Sequence, residues 1–435
     1  MNKIQVPTAP TFFQFFLYWL KLGFISFGGP TGQISMMHHD LVERRRWISE
    51  HRFLHALNFT MVLPGPEAQQ LATYIGWLMF GIRGGVAAGV LFVLPSLFIL
   101  SALTWAYLSY GSVDEVAGVL YGIKPAVTAV VLFAAYRIGL KALSNPVLKV
   151  IAVLAFIAIF QFKIAFPYVI LIAALIGFVG AKVTPSMFMM GAHHDSSKSN
   201  YGPALIDDDT PTPDHAKLSW LRVVIFALTG IVIGITAMSL LDSKVLQDMS
   251  EFFTKAALLT FGGAYAVLPY IYQGGVDQYQ WLTATQKMDG LALGETTPGP
   301  LIMVVAFVGF VGATVHGVFG PESMLLSGFV GASVATFFTF LPSFLFIFLG
   351  GPGVEATRSD LKFSAPLSAV TAAVVGVIVN LAVFFALATL YQNNQVDWIS
   401  LIITLAAFTA LFRFKIGIMT VIMTSAAIGL GLTLI

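Results

Sequence analysis

Several stretches of the chain run for about 20 residues with almost no charge: 84–109, 147–162, 164–181, 219–241, 324–349 and 414–435. A bilayer core asks roughly 20 apolar residues of a helix. Backbone N–H and C=O groups in hydrocarbon must be satisfied internally, which leaves only helices and closed barrels. Barrel strands alternate apolar and polar residues, whereas these runs are apolar all round. The sequence therefore predicts an all-α polytopic membrane protein with about 11–13 membrane segments. Charged residues make up 10% of it, against roughly 25% in soluble domains.

Charge and cysteine usage exclude further classes. A net charge of +2 provides no basic field for nucleic acid. The absence of cysteine removes disulfides, thiolate metal sites and iron–sulfur clusters. No small-residue cleavage site follows the apolar segment 11–29, which reads as retained and not as a signal peptide.

One long polar stretch, 182–218, contains His193-His194-Asp195 and Asp207-Asp208-Asp209 and lacks periodicity. It is expected to be a flexible cytoplasmic linker. It separates an N-terminal repeat, 1–181, from a connecting helix, 219–241, and a C-terminal repeat, 242–435. Duplication is visible in register. Lys21 and Lys255, Phe27-Gly28-Gly29 and Phe261-Gly262-Gly263, Trp47 and Trp281, and Pro64-Gly65-Pro66 and Pro298-Gly299-Pro300 all share one offset of 234. Leu94-Pro95-Ser96 recurs as Leu341-Pro342-Ser343 after an insertion of 13.

The Lys/Arg content of the short loops sets orientation. Arg137, Lys141 and Lys149, the linker, Arg358 with Lys362, and Arg413 with Lys415 are expected in the cytoplasm. Segments 110–117 and 391–398 are expected outside. The N-terminus then lies inside and the C-terminus outside, so the halves are inverted. Loop 31–52, with Arg44, Arg45, Arg46 and Arg52, fits this only if 11–29 or 53–80 dips in and returns. If both cross, the count is six, one and six spans.

The chemistry-bearing residues cluster at the repeated motifs. Two prolines around a glycine cannot continue a helix, so Pro64-Gly65-Pro66 and Pro298-Gly299-Pro300 each split an apolar segment. A broken helix at membrane depth lines protein or water, and its second half presents free N–H groups and a positive dipole end to an anion. Matching broken helices in inverted halves point to a transporter site; a packing kink is the plain alternative. Gly28, Gly29, Gly262 and Gly263 allow a close backbone approach, to a ligand or to another helix. Lys21 and Lys255 interrupt apolar segments and are candidate counter-ions, unless they snorkel to the headgroups; Lys124 is a third candidate. Gln69 and Gln70 add neutral donors. Glu67 and Glu295 are candidates for proton coupling, although a first-turn acid also suits a helix dipole. Adjacent histidines such as His38-His39, without a third spaced ligand, make no metal site.

These motifs resemble a known family. Ser26-Phe-Gly-Gly-Pro30, His38, Leu41-Val-Glu-Arg-Arg-Arg-Trp-Ile-Ser-Glu50, Leu63-Pro-Gly-Pro-Glu-Ala-Gln-Gln-Leu-Ala-Thr-Tyr-Ile-Gly-Trp77 and Leu91-Phe-Val-Leu-Pro-Ser96 are similar to those of the chromate transporters. Thr260-Phe-Gly-Gly263, Glu295-Thr-Thr-Pro-Gly-Pro300 and Leu341-Pro-Ser343 resemble that family's other domain. The resemblance implies a bacterial inner-membrane carrier that exports chromate on the proton-motive force and confers chromate resistance. It also implies sulfate as a related tetrahedral dianion. The implied partners are the oxyanion and the bilayer; a homodimer is one candidate assembly, which the sequence does not decide, and no cofactor is expected. A cysteine the family often carries before the first Pro-Gly-Pro is absent from 58–63, so no thiol is required. A sulfate carrier and a passive anion channel are the alternatives. A membrane-embedded reductase lacks an electron source, and no Gly-Lys pair exists for a nucleotide loop.

Overall fold

The computed structural model describes residues 7–27, 29–188, 201–261, 263–357, 364–392 and 395–434. The first half contains α1 (Phe12–Ile25), α2 (Gly29–His38), α3 (Glu50–Val62), α4 (Glu67–Tyr110), α5 (Asp114–Ala142), α6 (Pro146–Phe160), α7 (Phe166–Val183) and a single turn, α8 (Pro185–Phe188). After the polar stretch come α9 (Trp220–Ser239), α10 (Lys244–Leu258), α11 (Ala264–Gln273), α12 (Ala284–Thr296), α13 (Val304–Val315), α14 (Met324–Thr357), α15 (Ser364–Leu390), α16 (Trp398–Phe412) and α17 (Ile418–Thr433).

The duplication read from the sequence extends to the elements. At the offset of 234, α1 superposes in sequence on α10, α2 on α11 and α3 on α12. Even the π-turns match, His39–Arg44 in one half and Gly274–Gln278 in the other. Helix α4 is two helices: Phe80 and Gly81 leave helical geometry, Gly81 at φ +63°. Gly76 there packs against the backbone of Gly84, which places 67–79 and 82–110 side by side as a hairpin. Those pieces correspond to α13 and α14.

The first four helical segments dip and return. Both ends of the α3–67–79 pair meet the polar stretch: the Ser49 hydroxyl donates to Asp208 at 2.6 Å, and His215 Nε2 lies 2.8 Å from the carbonyl of Trp77. The α1–α2 pair does the same. Phe12 packs edge-on against Phe80, and the carbonyls of Arg46 and Trp47 accept from the N–H groups of Leu205 and Ile206. Thus 11–29 and 53–80 are both re-entrant, and the six-one-six count does not apply. Arg44, Arg45 and Arg46 lie at the same end as the polar stretch, which reconciles them with the other basic loops.

The expected flexible linker is a structural part over 201–219. Ile206 pairs with Ile48 in a parallel bridge, Ala216 is fully buried, and Arg222 donates to the carbonyls of Asp214 and His215. His193-His194-Asp195, Arg358 and Lys362 lie outside the described residues.

Helix α9 then crosses along α14. Gly230 is its one buried residue, packed on Leu345, and Phe226 meets Phe348, while most of its other apolar side chains are exposed, as lipid contact requires. The second half therefore starts at the opposite end and runs in the inverse sense. The long helices are exchanged: α5 packs on α16 and α17, and α15 on α6 and α7. Each half thus completes the core of the other.

Candidate functional site

The two broken-helix tips are pinned across the halves. Gly65 (φ +124°) donates its N–H to the carbonyl of Thr260 at 2.7 Å, and Gly299 (φ +100°) donates to that of Ser26 at 2.8 Å. Thr260 is the repeat counterpart of Ser26, as Gly299 is of Gly65, so the exchange is reciprocal. Each Pro-Gly-Pro tip thereby rests on the residue before the other half's Phe-Gly-Gly. The Leu-Pro-Ser motifs seat the same tips. A Cβ built on Gly65 falls 2.5 Å from Ser343 Oγ, and one on Gly299 falls 2.8 Å from Ser96 Cβ. Both serines are fully buried.

Among the described residues, the side-chain amide donors to this layer come from the first half. Gln33 Nε2 donates to the carbonyls of Gly299 at 2.6 Å and Ser26 at 3.2 Å, Gln70 Nε2 to that of Pro64 at 2.7 Å, and Gln69 Nε2 to Thr73 Oγ1 at 3.0 Å. The counterparts of Gln33 and Gln70 are Val267 and Val304. The N–H groups of Gly65 and Gly299, expected to face an anion, are thus bonded within the protein.

The helix ends that face open space are those after the Gly-Gly pairs. A cavity of about 250 Å³ is lined by Gly29, Pro30 and Thr31 at the start of α2 and by Gly263, Ala264 and Tyr265 at the start of α11. Gly29 has φ +70° and Gly263 φ +97°, and a Cβ on either would meet nothing within 4 Å. Gly28 and Gly262 lie outside the described residues. Glu67, at the start of α4, lines the same cavity, as do Arg137 and Lys141 on one face of α5. Three helix N-termini, two of them repeat-related, thus converge with two cations and one carboxylate. First-turn N–H groups have no acceptor within their own helix, and each terminus carries about +0.5 charge. Glu67 has no hydrogen-bond or ion-pair partner among the described residues. Glu295 joins the site indirectly, since the Tyr265 hydroxyl donates to its Oε1 at 2.5 Å. Pro64, Pro66, Pro298 and Pro300 shape the tips behind this cavity and do not line it.

Lys21 and Lys255 are elsewhere. Lys21 is exposed on a surface cleft with Tyr18, Arg45 and Trp47, and Lys255 is exposed and paired with Glu251 one turn earlier. Lys124 pairs with Asp289 at 3.0 Å, and Asp289 also accepts from the Tyr107 hydroxyl at 2.8 Å. A second buried pair is Arg52, 3.1 Å from Glu355, which accepts from the Tyr74 hydroxyl at 2.5 Å. In both cases a re-entrant helix of one half is tied to a long helix of the other. His38 is held by Glu50 at 2.5 Å and Glu43 at 3.2 Å. From the sequence alone, Arg137 and Lys141 mark orientation only. Their i,i+4 spacing was the one available sign that they share a face.

Comparison with known proteins gives a consistent result. A family model described as chromate transporter matches residues 13–178 and again 247–430, one match per half. The chain is 30% identical over 416 residues to a chromate transport protein of Cupriavidus metallidurans, covering 94% of this chain and 91% of that protein. It is 31% identical to a chromate transport protein of Pseudomonas aeruginosa, covering 98% and 93%, and 29% identical to a probable chromate transport protein of Synechococcus elongatus, covering 90% and 88%. No solved structure matches it.

Proposed function

Because the chain belongs to the chromate transporter family, we propose that it is a secondary carrier exporting chromate across the bacterial inner membrane, driven by the proton-motive force. Chromate resistance follows from that direction of transport. The observation that carries the reading is the convergence of the α2 and α11 N-termini, Arg137, Lys141 and Glu67 on one cavity. Two dipole ends of about +0.5 each offset half of a dianion, and the guanidinium and ammonium supply the rest. Gly29 and Gly263 leave room for oxygens to approach backbone N–H groups, and the tips pinned through Gly65 and Gly299 hold the frame behind them. These cations replace Lys21 and Lys255, which do not line the cavity.

In this reading the polar-stretch end, with its basic residues, and the N-terminus lie in the cytoplasm, and the C-terminus lies outside; the excess of Lys and Arg supports it. The cavity then loads from the cytoplasm. An inside-negative potential drives a dianion outward by about 4.6 kcal/mol per 100 mV for two charges. Glu67 sets the local charge: ionised, it offsets one cation, and protonated it does not. Proton binding and dianion binding are linked through it, with Glu295 behind Tyr265 as the second carboxyl.

Flux of labelled chromate in everted membrane vesicles tests the reading. The expected result is saturable uptake that responds to the proton gradient, with KM raised about tenfold or more in Arg137→Gln, a loss of about 1.4 kcal/mol. Non-saturating flux independent of the gradient marks a channel and overturns the proposal. Sulfate as competitor reads the preference between the two dianions.

A further inference from the structure

A second cavity, of about 450 Å³, lies at the end of the molecule away from the polar stretch, between the α6–α7 connection and the α11, α12 and α15 helices. Its polar lining is Lys163, Lys287, Tyr272, Asn380, Gln273 and Asp277. Lys287 Nζ sits 3.5 Å from the centroid of the Phe384 ring and 5.6 Å from that of Tyr272. Neither Lys287 nor Lys163 has a carboxylate at ion-pair distance among the described residues. Aromatic faces replace only part of the hydration of a half-buried ammonium, so the site is short of a negative partner. Tyr272 is fully buried, and its hydroxyl has no hydrogen-bond partner. Buried hydroxyls are ordinarily bonded. Two cations against the single exposed carboxylate of Asp277 leave the lining net positive.

The repeat shows that this chemistry is not inherited from the fold. The counterparts of Tyr272 and Lys287 in the first half are His38 and Phe53. There the ring of His38 packs on Phe53 and bonds Glu43 and Glu50, so every group is satisfied. The second half has a cavity here and places in it an ammonium with no carboxylate at ion-pair distance and an unbonded hydroxyl.

We propose that this cavity is a second oxyanion site, on the opposite membrane face from the Glu67 cavity, in which Lys287, Lys163, Asn380 and the Tyr272 hydroxyl hold the oxygens. It rests on the reading of the chain as an oxyanion carrier. Such an oxyanion is supplied either by the transported dianion or by the phosphate of a lipid headgroup.

Equilibrium binding of labelled chromate to the purified full chain in a lipid-free neutral detergent tests it. The expected stoichiometry is two per chain, falling to one in Lys287→Gln and restored in Lys287→Arg, with an unchanged unfolding temperature in both. Arg137→Gln is expected to leave one. A single equivalent that survives Lys287→Gln and is lost in Arg137→Gln overturns the second site and leaves the carrier reading intact. Binding kept in Arg137→Gln and lost in Lys287→Gln supports the second site and counts against the Glu67 cavity. Repeating the titration in phosphatidylglycerol nanodiscs separates the sources. A second equivalent that persists assigns the site to the free anion, and one that disappears assigns it to lipid phosphate.

Discussion

Replacing Gly65 by alanine tests the cross-half seating of the tips. The position sits at φ +124°, where an L-residue is strained by about 1–3 kcal/mol. The new methyl would lie 2.5 Å from Ser343 Oγ and 2.7 Å from Gln70 Nε2. Moving Gln70 sacrifices its bond to the Pro64 carbonyl, about 1 kcal/mol, and displacing the serine adds overpacking of about 1 kcal/mol or more. A loss of about 3–5 kcal/mol follows from these three contributions. Thermal unfolding followed by tryptophan fluorescence in detergent reads it. Adding Ser343→Ala should recover about 1 kcal/mol, a coupling between residues in contact that belong to different halves. Gly29→Ala is the contrast: its φ is also positive, yet open space surrounds it. It should cost about 1–2 kcal/mol while impairing transport, because its methyl enters the cavity. Wild-type stability in Gly65→Ala, or no recovery from Ser343→Ala, would refute the seating.

The buried pair gives a second expectation: Glu355→Gln leaves the Arg52 guanidinium uncompensated and should lower stability by about 3–5 kcal/mol, read as a shift in the unfolding midpoint. Lys255→Gln removes only an exposed pair with Glu251. Its stability should stay within about 0.5 kcal/mol of the parent with transport unchanged; a large loss of affinity would return that lysine to the site. Orientation is checked with an impermeant thiol reagent, since the chain has no cysteine of its own. Ser112→Cys and Gln395→Cys should label from outside intact cells and Asp209→Cys should not.

Most of the architecture was legible because it rests on local rules. Apolar runs and helix-breaking prolines need no knowledge of distant residues, and the common offset of 234 exposed the duplication. The lysines were misplaced for a physical reason. The cost of burying a cation applies only at membrane depth, whereas α10 carries Lys244, Asp248, Glu251 and Lys255 one turn apart along an exposed face. The cavity was hidden for the converse reason. Arg137 and Lys141 meet Gly29 and Gly263 only after the halves interlock, and Arg52 finds Glu355 some 300 residues away. No periodicity encodes such partners. The docking of 201–219 was equally invisible, because a single buried Ile206 and a few backbone bonds hold a segment whose composition is that of a loop.

The reciprocal bonds of Gly65 and Gly299 bear on biosynthesis. The acceptor for Gly65 is Thr260, about 200 residues later in the chain. At 5–20 residues per second it is made roughly 10–40 s after the donor. Through that interval the first half lacks the native acceptor for the amide at its tip, which arrives only with the upside-down insertion of the second half. A chain truncated at residue 181 would meet the same need only by capturing a copy of itself inserted the other way up.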